Sequence, residues 1–319
     1  MTTRFLLGVD GGQGHTEAVI GDETGAVLSR GESRGSTDMT HPDSEPQFER
    51  AVCEAVDAAL TPLGIKRSDV AFSAAHFGLS GGPEMREPVV RRLLTVQRLS
   101  LAEDTSNALW SVTGGADGAA VISGSGSIGF GKRGDRTGRG GGWGHILGDE
   151  GSGVDLGLRA LRHTFQAADG RQRSGWLARE VVKRSGCASY WNLHDAVYSG
   201  TLDLRWITRL AELVDRGVGK DPVCRTLLED AADDLVGIAA RVISQLRLSN
   251  SVCGYVGKVF RSETVLRRFT RSLKKKYPRL QIVAPRLTPA EGALAIALDL
   301  LQQPLDTGQK EHTLAYSRR

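Results

Sequence analysis

The chain has 319 residues and a mass of 34.2 kDa, more than one hydrophobic core usually serves, and this length predicts two domains. Hydrophobic residues make up 40% and charged residues 24%, with a mean hydropathy of -0.23, which excludes an intrinsically disordered chain. No apolar run approaches the roughly 20 residues of a membrane helix, and the start MTTRFLLGVD is too short for a secretory signal. We therefore expect a cytoplasmic protein with no membrane partner.

The charge balance does not indicate a nucleic-acid partner. Lys and Arg number 41 against 37 Asp and Glu, a net charge of only +4, and the densest basic run, 271–276, is typical of a solvated helix face. The four cysteines lack the CxxC spacing of zinc sites and the density of a disulfide framework. They are expected to be reduced thiols.

The first part of the chain alternates β and α patterns. FLLGVDGGQGHTEAVIGDETGAVLSR predicts a three-stranded antiparallel meander whose first strand ends at Asp10. An apolar residue at every fourth position predicts an amphipathic helix over 47–60. A buried strand in VAFSAAHFGLSGG, a helix around 88–94, a strand near 96–101 and a helix from about Thr105 then complete an α/β domain over residues 1–113.

The second half repeats this order of patterns. GAAVISGSGSIGFGKRGDRTGRGGGWG again begins with a strand, a glycine loop and a strand, so that residues 9–12 align with residues 122–125. Such a repeat predicts two similar domains that face each other across a cleft. The remaining predicted elements are helices over 154–165, 176–183, 202–214, 222–246, 263–273 and 289–301, and strands at VCGYVG and 280–283. We assign residues 114–301 to the second domain, with a last helix that could pack back on the first, and residues 302–319 to a polar tail.

Two glycine-rich turns, DGGQG and SGSGS, are the most distinctive short patterns. The GxGxxG at 124–129 is not a dinucleotide fingerprint, because no helical pattern begins in it, and Arg133 stands where a P-loop needs Ser or Thr. Small residues in such turns let backbone N–H groups reach phosphate oxygens, although each turn alone is explained as well by a tight hairpin. Together with carboxylates at Asp10 and Asp104, the two turns favour a nucleoside triphosphate site.

Longer motifs resemble one known family. GGGWGHILGDEGSGVDLG at 140–157 resembles the GGWGH...GDEGS signature of amino-sugar kinases, and GVDGG, EDTSNAL, SGSGS and YVGKVFRS support it. Over nearly its whole length the chain resembles the BadF/BadG/BcrA/BcrD-type ATPases, the group with N-acetylglucosamine and glucosamine kinases in the sugar kinase, actin and Hsp70 superfamily. The resemblance implies two ribonuclease H-like α/β domains and transfer of the ATP γ-phosphoryl group to an amino-sugar hydroxyl, the 6-hydroxyl by expectation.

The resemblance also implies roles for residues near the glycine turns. Asp10 would organise Mg²⁺ through water; a turn-capping carboxylate is the alternative. Gly257 would line the adenine pocket. The expected phosphate-binding residues are Gly11, Gly12, Gln13, Gly124, Ser125, Gly126 and Ser127.

Asp104 resembles the catalytic base of the family. It follows a predicted strand at the edge where open α/β sheets bind ligands, and a carboxylate there could accept the proton of the attacking sugar hydroxyl. The alternative is a helix N-cap, for which Asp is a preferred residue. Glu103 is the less favoured carboxylate for the base.

The sugar-binding residues implied by the resemblance are Gly142, Trp143, Asp149 and Glu150, with Asp104. Carboxylates suit vicinal sugar hydroxyls, but Asp and Glu also favour helix N-termini. Trp143 could be a platform for the sugar or pack in the core, and His145 is more typical of a structural histidine than of a catalytic one.

Asp38 departs from the family pattern, since N-acetylglucosamine kinases carry Asn at the matching position of Ser-Thr-Asn. An anion there favours a substrate with a protonated amine, such as glucosamine or an aminocyclitol; an exposed loop carboxylate is the alternative.

Two other functions remain open at this point. One is an ATPase that activates an electron-transfer enzyme, but such activators carry iron-sulfur cysteines, and the segment 114–157 has none. The other is a non-catalytic sugar sensor, against which the presence of both Asp10 and Asp104 argues. The expected partner is a small sugar, with a homodimer as a further expectation.

Overall fold

The computed structural model describes residues 4–12, 14–35, 44–81 and 83–303. These residues divide into two compact units, Met1–Ala116 with Pro285–Arg319, and Asp117–Ala284. Up to residue 116 the elements are β1 (Phe5–Gly11), β2 (His15–Gly21), β3 (Val27–Arg34), α1 (Ser44–Leu60), β4 (Ala71–Leu79), α2 (Glu87–Leu93), β5 (Thr95–Ala102) and α3 (Asp104–Thr113).

The elements that follow are β6 (Gly118–Ser123), β7 (Ser127–Arg133), β8 (Arg136–Gly141), α4 (Gly144–Leu147), α5 (Gly153–Ala168), α6 (Trp176–Ser185), α7 (Tyr190–Tyr198), α8 (Leu204–Arg216), α9 (Pro222–Leu246), β9 (Val252–Val256), α10 (Glu263–Lys276), β10 (Gln281–Val283) and α11 (Pro289–Gln302). Short 3₁₀ turns connect several of them. None of the helices in the described part of the chain has both the length and the apolar character needed to span a bilayer.

The sheet of the first unit has the strand order β3-β2-β1-β4-β5. β1, β2 and β3 pair antiparallel, as the predicted meander requires, and β4 and β5 run parallel to β1. The carboxyl ends of β1, β4 and β5 therefore lie along one edge, the edge where open α/β sheets bind ligands. Asp10, Ser80 and Asp104 lie at or directly after these three strand ends.

Strand β1 is buried on both faces. Leu7 and Val9 belong to the core formed with α1, whereas Leu6 packs with α11 on the opposite face. A Cβ at Gly8 would lie 2.2 Å from the backbone nitrogen of Leu294, so glycine is needed for α11 to lie directly on the strand. This contact explains why α11, which follows the second unit in the chain, belongs to the first unit.

The sheet of the second unit has the same topology, in the order β10-β9-β6-β7-β8. β6 pairs antiparallel with β7 and parallel with β9, just as β1 pairs with β2 and β4. The turns after β1 and β6 are thus equivalent, as the internal repeat predicts. The predicted α/β class with two similar units is confirmed.

Three elements of the second unit have no counterpart in the sequence prediction: strand β8 and helices α4 and α7. Three of the six residues of β8 are glycines, a composition unfavourable for a strand. A Cβ at Gly140 would lie 2.9 Å from the carbonyl oxygen of Ile238 in α9. The close approach of α9 thus requires a small residue where β propensity would favour a large one.

Candidate functional site

Asp10 is held at the end of β1 by an asparagine from α3. Asn107 Nδ2 donates to Asp10 Oδ1 at 2.8 Å and to the carbonyl oxygen of Val9 at 3.2 Å. The amide packs directly over Gly78 of β4, where a Cβ would lie 2.2 Å from Nδ2. One side chain thus joins α3, β1 and β4, and it leaves the Asp10 carboxylate partly exposed.

Asp104 is the first residue of α3 and is bonded by a serine that follows β4. Ser80 Oγ donates to Asp104 Oδ2 at 2.6 Å. The N-cap position of α3 belongs to Glu103, whose side chain makes no capping hydrogen bond. The N-cap interpretation of Asp104 is therefore wrong, and its carboxylate is partly exposed at the sheet edge.

The two carboxylates lie close enough to influence each other. Removal from water raises the pKa of Asp10 to about 7, the Asn107 hydrogen bond opposes this rise, and the charges of Asp104 and Glu17 add to it. Removal from water also raises the pKa of Asp104, opposed by the hydrogen bonds from Ser80 and the Thr105 backbone. A partly buried pair of carboxylates with raised pKa values favours a bound cation or proton transfer.

A buried histidine of β4, His76, connects the first turn of α3 to β5 through hydrogen bonds. His76 Nδ1 lies 3.1 Å from Ser100 Oγ in β5, and its Nε2 lies 3.3 Å from Ser106 Oγ in α3. Because Ser106 Oγ donates its proton to the Glu103 carbonyl oxygen at 2.7 Å, we assign the ring proton to Nε2. Burial lowers the pKa of His76 to about 3, so this histidine is neutral and structural.

In the second unit, the turn between β6 and β7 is fixed by the GDEGS segment. Ser123 Oγ donates to the Gly151 carbonyl oxygen at 2.9 Å, and Ser127 Oγ donates to that of Glu150 at 2.7 Å. Within the described chain, the backbone N–H groups of Ser125 and Gly126 have no acceptor. Of this turn, the N–H groups of Ser125 and Gly126 are therefore the ones that stay available as donors, whereas the Ser127 N–H and hydroxyl are both used within the unit.

Asp149 lies against this turn. Its Oδ1 accepts the Ser127 backbone N–H at 3.2 Å, and a Cβ at Gly126 would lie 2.9 Å from its Oδ2. Its backbone is left-handed, with a φ of 60°. Removal from water raises the pKa of its carboxyl. The N-terminus of α5 is capped by Ser152, so Asp149 does not cap it.

Gly257 approaches the same turn from the end of β9. Its φ is +111°, and a Cβ there would lie 2.2 Å from the carbonyl oxygen of Ser123. Glycine is required by both the backbone conformation and the space. Gly257 thus lies beside the turn that the sequence analysis assigned to phosphate binding.

The segment after β8 presents apolar side chains to solvent. Trp143 is 66% exposed, and Ile146 and Leu147 are exposed to a similar extent. The Arg139 guanidinium lies 5.0 Å from the centroid of a Trp143 ring and donates to the Gly142 carbonyl oxygen at 2.7 Å. The alternative that Trp143 packs in the core is therefore wrong. Its ring is exposed to solvent and lies against the Arg139 guanidinium. His145 is likewise exposed.

The structure collects the predicted residues into separate sets within the two units. Asp10, Gly11, Gly12 and Asp104 lie at one sheet edge of the first unit. The second unit brings Gly257, Asp149 and Glu150 to the 124–127 turn, and carries Gly142 and Trp143 after β8. Gln13 and Asp38 lie outside the described residues.

No sequence pattern described above indicated a role for Ser80, Asn107, Arg139 or Glu17. Asn107 lies within the EDTSNAL motif, three residues after Asp104, a spacing that places both side chains on one face of α3. Ser80 follows a buried strand directly, the position where ligand-binding residues collect in α/β folds. These two signals could have indicated both residues; nothing comparable distinguishes Arg139.

Comparison with known proteins defines the family. Residues 7–297 match the BadF/BadG/BcrA/BcrD ATPase family. The chain belongs to this family. Membership of an ATPase family makes ATP its nucleotide.

Two relatives and one solved structure match this family member over almost their whole length. An N-acetylmuramic acid/N-acetylglucosamine kinase of Clostridium acetobutylicum is 28% identical over 304 residues, 92% of this chain and 98% of the relative. An N-acetyl-D-glucosamine kinase of Dictyostelium discoideum is 26% identical over 94% of this chain and 99% of the relative. The solved structure of a candidate N-acetylglucosamine kinase from Chromobacterium violaceum is 28% identical, with a TM-score of 0.77 over 94% of this chain and 99% of that one.

Proposed function

We propose that this protein is an ATP-dependent kinase that transfers the γ-phosphoryl group to a hydroxyl of an amino sugar, the 6-hydroxyl by preference. The observation that carries the proposal is the pair of carboxylates at one sheet edge, Asp104 bonded by Ser80 and Asp10 bonded by Asn107. Full-length relatives that are named as amino-sugar kinases support the substrate class.

Asp104 is the general base of the proposed reaction. Its carboxylate is partly exposed, so a sugar hydroxyl can reach it, and it lies at the N-terminus of α3, where the helix dipole favours the charged form. The carboxylate accepts the hydroxyl proton as the oxygen attacks phosphorus. Phosphoryl transfer otherwise depends mainly on position and charge, so we expect few further covalent roles for protein groups.

Asp10 fits a role in holding Mg²⁺ through water. Mg²⁺ prefers carboxylate oxygens and retains several waters, and a partly exposed carboxylate next to a second one has both the charge and the access for such an ion. The described residues contain no group of three metal-ligating side chains, which suits an ion held by one carboxylate, water and phosphates. When bound, the ion would neutralise the charge of the phosphate oxygens.

The turn at 124–127 is proposed to bind ATP phosphates. The N–H groups of Ser125 and Gly126, which have no acceptor among the described residues, supply donors. Gly257 lies directly against the Ser123 carbonyl oxygen and is proposed to line the adenine pocket. Gly11, Gly12 and Gln13 are proposed for the same task at the equivalent turn after β1.

The sugar is proposed to contact Asp104, Gly142, Trp143, Asp149 and Glu150, with Asp38 as a further contact. An exposed aromatic ring suits the apolar face of a sugar. The carboxylates of Asp104 and Asp149, which are partly exposed, and of Glu150, which is exposed, suit its hydroxyls. Because the proposed phosphoryl donor is cellular ATP, we also propose that the protein is cytoplasmic. Homodimerisation stays a prediction that light scattering can check.

The experiment is a coupled assay of ATP consumption over glucosamine, N-acetylglucosamine, N-acetylmuramic acid, glucose and aminocyclitols. We expect turnover with at least one amino sugar and a loss of about a hundredfold or more in kcat for Asp104→Asn. Asp69→Asn is the matched control, because exposed Asp69 also accepts a serine hydroxyl, that of Ser68. Equal turnover of Asp104→Asn and wild type would remove the role of general base, and no turnover with any of these sugars would contradict the kinase proposal.

The same assay, together with measurements of sugar binding and of iron content, discriminates the two other functions. A sugar sensor would bind a sugar without consuming ATP. An activator of electron transfer would bind iron after anaerobic purification; in this chain Cys224 and Cys253 are buried, and burial raises the pKa of both thiols to about 12, which disfavours the thiolate that ligates iron.

A further inference from the structure

Ser80 connects the ends of two strands to the proposed base. Its backbone N–H donates to the Gly11 carbonyl oxygen at 3.0 Å, which ties the residue after β4 to the end of β1. Its hydroxyl donates to Asp104 Oδ2 at 2.6 Å. The backbone bond fixes the position of Ser80, so the hydroxyl reaches Asp104 from a defined point.

The other end of this hydrogen bond is also fixed. The first turn of α3 is held through Ser106, which bonds the Glu103 carbonyl oxygen and the ring of His76. The backbone of Asp104 therefore cannot easily shift, and the remaining freedom lies in its side-chain torsions. A charge-assisted O–H···O bond of this length restricts those torsions.

We propose that Ser80 is a positioning residue, whose hydroxyl holds the Asp104 carboxylate in the orientation that accepts the substrate proton. The proposal rests on the kinase function proposed above. Catalytic groups act efficiently only within narrow limits of distance and angle, so a rotating carboxylate would lose rate even when substrate binds normally.

The hydrogen bond has a second consequence for the base. Removal from water favours the protonated carboxyl of Asp104, and the Ser80 hydroxyl opposes this by stabilising the charged form. A base must be charged to accept a proton. Loss of the hydroxyl should therefore move the acid limb of the pH–rate profile to higher pH.

The test compares Ser80→Ala and Ser80→Thr with wild type. We expect Ser80→Ala to lower kcat about tenfold with the sugar KM within about twofold, because positioning acts on the transition state. Its acid limb should shift to higher pH. Ser80→Thr retains a hydroxyl and should recover kcat to within about threefold of wild type. Ser68→Ala, which removes a serine–aspartate bond of 2.7 Å elsewhere in the same unit, should leave all parameters unchanged.

A titration independent of turnover follows the Asp104 carboxyl by ¹³C NMR, with its signal assigned from its loss in Asp104→Asn. Its pKa should rise in Ser80→Ala and not in Ser80→Thr. An unshifted titration, or a kcat within twofold of wild type in Ser80→Ala, overturns the positioning role while the kinase function stands. If the wild-type protein consumed ATP with none of the sugars tested, the kinase function would be contradicted instead.

Discussion

Asn107 Nδ2 lies 2.8 Å from Oδ1 of Asp10, and this contact joins residues 97 positions apart in the chain. The same amide group donates to the Val9 carbonyl oxygen, so the asparagine is held at two points. The contact determines both the orientation and the charge of the carboxylate proposed to organise Mg²⁺.

Asn107→Ala should weaken the response to Mg²⁺. The amide hydrogen bond lowers the pKa of Asp10, so its loss leaves a smaller charged fraction at pH 7. We expect the half-saturating Mg²⁺ concentration in the kinase assay to rise about five- to tenfold, the effect of one typical hydrogen bond of about 1 kcal/mol. Asn192→Ala, an exposed position in α7, is the control. An unchanged Mg²⁺ response in Asn107→Ala would contradict the proposed role of Asp10 in holding the ion.

Asp10→Asn should change stability in a pH-dependent way. The pKa of Asp10 is raised from 3.8 to about 7, so the folded state binds this proton more tightly than the unfolded state does. Ionisation of Asp10 therefore costs no stability below about pH 4, and the cost grows as the pH rises to 7 and remains above it.

Without divalent cations, Asp10→Asn should raise Tm by about 2–5 °C at pH 8 and by much less at pH 4.5. Calorimetry at the two pH values measures the difference, with exposed Asp69→Asn as control. A gain of equal size at both pH values would disagree with a raised pKa.

Gly257→Ala should damage both stability and nucleotide binding. The new Cβ would meet the Ser123 carbonyl oxygen at 2.2 Å in a backbone conformation that alanine disfavours. We expect a loss of about 2 kcal/mol or more in the free energy of unfolding and a several-fold higher KM for ATP.

Gly237→Ala is the matched control for this change. Gly237 lies within helix α9, with no atom near the position of an added Cβ. Alanine there should stabilise the protein by about 0.5–1 kcal/mol and leave the KM for ATP unchanged. Urea unfolding and ATP kinetics on both variants make the comparison; similar effects of the two substitutions would remove the special role of Gly257.

Trp143→Ala should affect sugar binding without affecting stability. Because the ring is 66% exposed, its removal should change the free energy of unfolding by less than about 0.5 kcal/mol. If the ring is a sugar platform, the sugar KM should rise about tenfold, the value of one stacking contact. Trp191, 77% exposed in α7, provides the control, and Trp191→Ala should leave the KM unchanged. A sugar KM unchanged in both variants would exclude the platform role.

Local sequence was sufficient for most of the architecture. The apolar period of four over 47–60 appears as α1, and the predicted helix over 222–246 matches α9. The repeat of strand, glycine turn and strand predicted two sheets of like topology, because hairpin patterns are decided by neighbouring residues. The sequence did not predict β8 because its glycines are required by the close packing of α9, a helix about 100 residues later in the chain, and glycine has a low strand propensity.

The sequence by itself determined the two equivalent turns, the α/β class and the two carboxylates worth testing, since motif spacing and periodicity are local properties. Only the tertiary structure decided which partners those carboxylates have. Ser80 bonds Asp104 across 24 positions and Asn107 bonds Asp10 across 97, and no local pattern specifies such pairs. They form because parallel strands bring their carboxyl ends to one edge of the sheet. Partial removal from water raises the pKa of each carboxyl there, and each hydrogen bond opposes that rise by stabilising the charged form.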